Sequence, residues 1–200
     1  MSESILELSG TNSNKDILII TFGGNNLVTG GVPPFEFRKT LNIWFPTIDK
    51  KFYIDVNQCW YQQGIKGIST HIEDTKIYLE NVIHEYKKTI FIGTSAGGYA
   101  AILFGSLLHV THVIAFSPQT ILHKNKTQYR DLKHLINNTT NYHLYCNSAI
   151  RNRRDIHHRL HVDNLSEFTN VTATYKNGMS MPLMRNNGEL KALLESIVMN

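Results

Sequence analysis

The chain has 200 residues, of which 42% are hydrophobic and 18% charged, a composition typical of one globular domain, residues 1–200, and not of a disordered segment. The net charge of +4 comes from mostly scattered lysines and arginines, which argues against a nucleic-acid partner. The sequence contains no apolar run of membrane-spanning length, no secretory leader, no disulfide framework and no metal-binding cysteine pattern, so we expect a soluble cytoplasmic protein with no membrane partner, metal or cofactor.

Two compositional features leave alternatives open. Arg151, Arg153 and Arg154 form a local basic cluster, which is typical of a solvated loop but also of a loop that attracts an anionic substrate. The chain is rich in Asn, Ile and Lys, as proteins from AT-rich genomes are, so an origin in a large DNA virus, with the host cytoplasm as location, is one hypothesis.

The first half of the chain alternates apolar runs with loops. Residues 16–22 form an apolar, β-branched run that predicts a buried strand leading into a glycine-containing loop. Residues 52–56 predict a second strand, and a long loop follows at residues 57–69. Thr70 and Glu73 have the spacing of a capping box, and apolar residues at helical intervals after them predict a helix of about four turns.

The most informative segment is residues 89–105, TIFIGTSAGGYAAILFG, in which an apolar strand, a G-x-S-x-G pentapeptide and an apolar helix follow one another without a gap. This order is the context of a nucleophile elbow, where glycines on both sides of the nucleophile permit a sharp strand-to-helix turn. Gly93 and Gly97 occupy those positions, so Ser95 is the candidate nucleophile. The alternative is an ordinary glycine turn in which Ser95 caps the following helix, predicted over residues 99–108.

The second half of the chain continues the alternation. Residues 112–116 predict a strand, residues 124–138 a helix, and residues 142–146 and 171–175 two further strands. Apolar residues between Leu190 and Val198 lie on one face of a final amphipathic helix. Strands that alternate with helices predict a mostly parallel sheet covered by helices on both faces.

Four segments carry a resemblance to a known family: FGG at residues 22–24, WYQQGIKGIS at 60–69, GTSAGGYAA at 93–101 and AFSPQT at 115–120. With them the chain resembles small α/β-hydrolases over most of its length, and in particular bacterial hydrolase-like proteins, some of which are associated with polysaccharide synthesis genes. The resemblance implies an α/β-hydrolase-like three-layer sandwich with a mostly parallel central sheet and no large lid domain. It also implies acyl transfer, in which a serine attacks an ester or amide carbonyl.

The resemblance extends to an oxyanion hole and a triad acid. The oxyanion donors would be the backbone N–H of Ala96 and that of Gly24 or its neighbour Gly23, although a glycine pair at a strand end is also an ordinary turn. Triad members in this fold follow the order Ser, acid, His along the chain, which points to Asp155 as the acid. The alternative role of Asp155 is a helix N-cap.

The catalytic histidine departs from the family pattern. Its expected place, residues 176–185, contains no histidine, and the last histidine of the chain is His161. His157, His158 and His161 lie close to the acid in sequence, and a helix that begins near Asp155 would place His158 one turn from the carboxylate. We therefore take His158 as the candidate base, with a structural histidine packed beside Asp155 as the alternative.

Four residues on loops after predicted strands are candidates for substrate contact: Trp60, Tyr61, Ser117 and Gln119. Each has an alternative role in packing or turn formation. The leading hypothesis is a serine esterase that acts on a small-molecule ester or an acylated glycan. The alternatives are a glycan acyltransferase and a catalytically inactive binding protein of the same fold, and the enzymatic hypotheses require a histidine nitrogen within hydrogen-bond reach of the Ser95 hydroxyl.

Overall fold

The computed structural model describes residues 4–11, 15–25, 35–122, 127 and 129–199. Its strands are β1 (Ile5–Leu8), β2 (Ile17–Phe22), β3 (Asp49–Tyr53), β4 (Lys88–Thr94), β5 (His112–Phe116), β6 (Asn141–Asn147) and β7 (Val171–Lys176). They form one seven-stranded sheet in the order β1-β3-β2-β4-β5-β6-β7. The edge strand β1 is antiparallel to β3, and every other pairing is parallel.

Helices cover both faces of the sheet. They are α1 (Arg38–Trp44), α2 (Ile72–Ile83), α3 (Ala96–Leu107), α4 (Leu160–Asp163), α5 (Met181–Asn186) and α6 (Glu189–Met199), with a 3-10 helix at Leu132–Leu135. The described segments between strands contain no separate lid domain. Within the described ranges, no helix is long and apolar enough to cross a membrane.

Two hydrophobic cores lie on opposite faces of the sheet, because successive strand residues point to opposite sides. Leu18 and Ile20 of β2 pack into the core under α2 and α3, whereas Ile19 between them packs into the core under α1, α5 and α6. The helix α3 is buried along almost its whole length. The strands of the predicted parallel sheet are therefore apolar on both faces, which is why their sequences read as continuous apolar runs.

Most predicted elements are present with shifted ends. The strand predicted at 112–116 has the predicted bounds, and the strand predicted at 16–22 is β2. The strand predicted at 52–56 begins at Asp49 and ends at Tyr53, because β3 pairs with neighbours on both sides and so includes the polar pair Asp49 and Lys50. The helix predicted after Thr70 is α2, whose N-cap is His71.

One predicted element is wrong, and others are absent from the sequence prediction. In the described part of residues 124–138 the chain forms only the short 3-10 helix. Its N-cap is Asp131, whose side chain accepts a hydrogen bond from the Lys133 amide at 2.9 Å. Residues 123–126 and 128 lie outside the described residues. The strand β1 and the helices α1, α4 and α5 were not predicted, because each is short and its apolar pattern is correspondingly weak.

Candidate active site

Ser95 lies at a sharp turn between β4 and α3. Its backbone has φ 57° and ψ −117°, an unfavourable conformation for a residue with a side chain and the one that a nucleophile elbow imposes. A Cβ on Gly93 would lie 2.1 Å from the carbonyl oxygen of Gly97, and a Cβ on Gly97 would lie 2.0 Å from that of Phe22. Both glycines are therefore sterically required by the turn that presents Ser95.

The histidine that contacts Ser95 is His157. Its Nε2 lies 2.8 Å from Ser95 Oγ. His157 follows β6, and Ser95 follows β4, so the carboxyl ends of two parallel strands bring the two side chains to the same edge of the sheet. Burial lowers the pKa of His157 below its ordinary value, and the neighbouring Asp155 carboxylate partly opposes that shift.

In the described structure the predicted base, His158, makes no hydrogen bond to Ser95, and its neighbour His157 has the contact that the prediction gave to His158. No helix begins at Asp155. The Asp155 side chain instead accepts a hydrogen bond from the His157 amide at 2.8 Å, an Asx turn that directs the histidine side chain at position 157 toward Ser95. The His158 side chain is buried and its Nδ1 accepts a hydrogen bond from the Leu160 amide at 3.1 Å, while α4 begins only at Leu160.

The predicted acid, Asp155, is close to the histidine without hydrogen-bonding its ring. Asp155 Oδ1 lies 3.9 Å from His157 Nδ1, which is an ion-pair distance and too long for a hydrogen bond. Both side chains are partly exposed. The carboxylate therefore acts on the imidazole through its charge and through the Asx turn, and holds the ring less tightly than a direct hydrogen bond would.

Gln119 and Trp60 form a chain of hydrogen bonds that also ends at Ser95. Gln119 Nε2 donates a hydrogen bond to Ser95 Oγ at 3.2 Å, and Gln119 Oε1 accepts one from the indole N–H of Trp60. Ser95 Oγ can accept from Gln119 and at the same time donate its own proton to His157 Nε2 in the tautomer that leaves this ring nitrogen unprotonated. Two of the predicted contact residues are thus brought directly to the site.

The other two predicted contact residues lie differently. Ser117 lines the cleft beside His157, with its backbone in the left-handed region at φ 45°. Tyr61 is fully buried, and its hydroxyl lies 3.0 Å from the Gly23 carbonyl and 3.1 Å from that of Tyr53. Tyr61 is therefore a core residue under the loop and does not face a substrate.

The loop that carries Trp60 is held by Asp55. The Asp55 carboxylate is buried and accepts hydrogen bonds from the backbone N–H groups of Asn57, Cys59 and Tyr61 at 3.2, 2.7 and 2.9 Å. Trp60 has a left-handed backbone at φ 57°. A single carboxylate thus stabilises an otherwise unfavourable loop conformation that points the indole at Gln119.

The two predicted oxyanion donors differ in their partners. Ala96 is the first residue of α3, so its N–H has no acceptor within the helix, and it lies directly after Ser95. The Gly24 N–H donates to Glu36 Oε1 at 3.2 Å, and the Gly23 N–H donates to the Tyr53 carbonyl at 2.9 Å. The prediction for Gly24 did not anticipate Glu36, a residue of the segment before α1 that no sequence motif marked.

A cleft of about 290 Å³ is lined by His157 and by Thr94, the residue before Ser95. Its walls include Thr94, Ser117, Asn147, Ile150, Met179 and Met181. A second cleft of about 270 Å³ shares Thr94 and Met181 with it and extends toward Glu36 and Arg185. In the described residues, no group of three or more His, Cys, Asp or Glu side chains is arranged to hold a metal ion.

Comparisons with known proteins extend the description of the fold. No model of a known protein family matches the chain, and no curated protein sequence matches it either. Among solved structures, it is similar to a capsule O-acetyltransferase of Neisseria meningitidis serogroup A in complex with CoA, at 15% identity over 93% of this chain and 89% of that one, with a TM-score of 0.65.

Two further structures are hydrolases. A lipase/esterase from Lactobacillus plantarum matches at 11% identity over 96% of this chain and 91% of that one, with a TM-score of 0.61. The fluorophosphonate-binding serine hydrolase F of Staphylococcus aureus matches at 12% identity over 88% of this chain and 84% of that one, with a TM-score of 0.59. The seven-stranded, mostly parallel sheet and these neighbours together show that the chain has the α/β-hydrolase fold, as predicted.

Proposed function

We propose that this protein is a serine-dependent acyl-transfer enzyme that hydrolyses small esters, with Ser95 as nucleophile and His157 as general base. The observation that carries the proposal is the 2.8 Å contact between His157 Nε2 and Ser95 Oγ on the nucleophile elbow. That distance is within the range that a nucleophile and its base require. It favours an enzyme over an inactive binding protein, and the likeness to esterases and lipases supports the same choice.

The geometry supports a two-step reaction. Ser95 Oγ attacks the ester carbonyl carbon while its proton passes to His157 Nε2, and the carbonyl oxygen becomes an oxyanion near the Ala96 N–H. The intermediate collapses, the C–O bond to the alcohol breaks, and His157 returns the proton to the leaving oxygen. Water then attacks the acyl carbon and gives a proton to His157; the bond from that carbon to Ser95 Oγ breaks, His157 returns the proton to Oγ, and the acid leaves.

The electrostatics of His157 suit a base at neutral pH. Its lowered pKa leaves the imidazole neutral near pH 7, so that Nε2 accepts a proton from Ser95. The Asp155 carboxylate, 3.9 Å from Nδ1, then stabilises the imidazolium that forms in the transition state. In this proposal Asp155 stabilises the His157 imidazolium through its negative charge, without a hydrogen bond to the ring.

Covalent labelling tests the proposal directly. Purified protein is treated with a fluorophosphonate and examined by intact mass and peptide mapping. We expect one adduct on Ser95, which is absent in Ser95→Ala and at least about a hundredfold slower in His157→Asn. His158→Asn is the matched control, since its side-chain oxygen can still accept from the Leu160 amide, and it should label at close to the parent rate. No adduct on the folded parent would refute the proposal.

A second candidate function is transfer of the acyl group from an anionic donor to a hydroxyl acceptor other than water. Arg151, Arg153 and Arg154 are exposed, lie between the cleft residues Ile150 and His157, and form no ion pair with a carboxylate in the described part of the chain. Uncompensated positive charge at the rim of a site attracts an anionic ligand. A mutant of the similar capsule O-acetyltransferase was solved in complex with CoA, the anionic thiol that remains when an acyl-CoA donor has given up its acyl group.

The two candidates differ in their response to charge. If the arginines bind an anionic donor, replacing all three by Gln should lower kcat/KM for acetyl-CoA by about tenfold or more and leave that for the neutral ester p-nitrophenyl acetate within about twofold. Raising the salt concentration should reproduce the difference in the parent. Equal effects on both substrates would favour the plain esterase.

A further inference from the structure

In the described residues directly after β2, the N–H groups of Gly23 and Gly24 are both already bonded. The Gly23 N–H is bonded to the Tyr53 carbonyl at 2.9 Å, and the Gly24 N–H to the Glu36 carboxyl at 3.2 Å. An oxyanion at Gly24 would have to compete with this carboxyl for the same N–H and would be repelled by it when it is ionised. A second donor that does not have to give up such a bond would complement the Ala96 N–H better than Gly24 does.

We propose that the second oxyanion donor is the side-chain amide of Gln119, held in place by Trp60. Gln119 Nε2 already lies 3.2 Å from Ser95 Oγ, so it is close to any oxygen on the carbon that Ser95 attacks. The carboxamide nitrogen carries two N–H groups, and one of them suffices for Ser95. The inference rests on the proposed function, since it names a residue for the same reaction.

The orientation of the Gln119 amide is determined by Trp60. An indole N–H can only donate, so the carboxamide oxygen must face Trp60 and the NH₂ group must face Ser95. Gln119 is 3% exposed, so solvent does not compete for its N–H groups. A donor that is preorganised in a water-excluded position is the kind that stabilises a developing oxyanion most effectively.

The reaction then uses Gln119 without any proton transfer from it. As the bond from Ser95 Oγ to the carbonyl carbon forms, the carbonyl π electrons move to oxygen, and the second N–H of Gln119 and the N–H of Ala96 donate to that oxygen. Both donors keep their protons, and the Ser95 proton still passes to His157. Trp60 is a positioning residue, because it acts on the oxyanion only through Gln119.

Two measurements test the inference: steady-state kinetics with p-nitrophenyl acetate, and binding of a trifluoromethyl ketone. The ketone forms an anionic hemiketal with a nucleophilic serine, so its affinity depends on the oxyanion donors. We expect Gln119→Ala and the isosteric Gln119→Glu to lower kcat by about a hundredfold or more with KM within about threefold, and to weaken the ketone in parallel. Trp60→Phe should lose about tenfold in kcat, because the carboxamide can then rotate. Gln63→Ala, an exposed glutamine of the same loop, is the control.

The outcomes separate this inference from the proposed function. A parent protein that neither hydrolyses the ester nor binds the ketone overturns both. An active parent whose Gln119→Ala variant, with a parent-like melting temperature, keeps kcat and ketone affinity within about threefold overturns the inference alone. The inference is confirmed if Gln119→Glu loses both kcat and ketone affinity and Trp60→Phe loses them to a smaller extent. A residue with only a packing role would not weaken the anionic adduct selectively.

Discussion

Replacing Asp55 by Ala should destabilise the protein markedly, although Asp55 lies outside the reaction. Its carboxylate is 1% exposed and accepts three backbone hydrogen bonds, the shortest from Cys59 at 2.7 Å and from Tyr61 at 2.9 Å. Hydrogen bonds to a charged acceptor contribute about 1.5–3 kcal/mol each, and loss of the acceptor leaves donors without a partner. The buried Tyr61 amide cannot turn to solvent without moving the loop.

We therefore expect Asp55→Ala to lower the free energy of unfolding by about 3 kcal/mol, after the recovered desolvation of the carboxylate offsets part of the loss. For a chain of this size that corresponds to a fall of about 6–12 °C in melting temperature. Urea denaturation followed by circular dichroism measures the change. The exposed neighbour Asn57→Ala, which keeps its own N–H, is the control and should change stability by less than about 0.5 kcal/mol.

The same variant should also affect reactivity, because Trp60 depends on the loop that Asp55 holds. We expect slower fluorophosphonate labelling of Ser95 in Asp55→Ala at a temperature where the variant is still folded. A destabilisation below about 1 kcal/mol would refute the reasoning, since it would mean that the three N–H groups find equally good acceptors elsewhere.

Three further predictions concern pH and steric fit. The acylation rate of the parent should rise with pH through a midpoint below the ordinary histidine pKa of 6.5 and then level off. The reason is that burial lowers the pKa of His157 and only the neutral ring accepts the Ser95 proton. Stopped-flow kinetics of His157→Asn should show no such rise of the acylation rate with pH. Burial beside His143 lowers the pKa of His112 to about 4, so the native state binds fewer protons than the unfolded state between pH 6.5 and 4. The resulting contribution to stability, about 1–3 kcal/mol, is complete above pH 6.5 and is lost as the pH falls toward 4. In melting experiments at different pH values, His112→Gln should reduce this loss of stability. Gly97→Ala should cost at least about 3 kcal/mol or abolish folding, because its Cβ would lie 2.0 Å from a carbonyl oxygen, whereas Gly98→Ala, whose nearest contact is at 3.1 Å, should cost clearly less in the same urea titration.

The amino-acid sequence alone determined the centre of the fold. The segment of strand, glycine-flanked serine and buried helix can be recognised in the sequence, because its glycines meet a local steric requirement. A Cβ on Gly93 or Gly97 would collide with atoms a few residues away or on the adjacent strand. Apolar runs likewise marked β2, β4 and β5, since both faces of these strands are covered. Fold class and candidate nucleophile could therefore be predicted.

Only the tertiary structure decided which side chains meet Ser95. His157 and His158 are neighbours in sequence, and an Asx turn, not a helix, directs the first of them at the serine. The contact of Gln119 with Ser95 joins residues 24 positions apart, and the contact of Glu36 with Gly24 joins a segment that no motif marks to the loop after β2. Such contacts depend on how several strand ends pack together at one edge of the sheet. The loops at these ends determine where their side chains point, and the geometry of each loop depends on the elements that it connects.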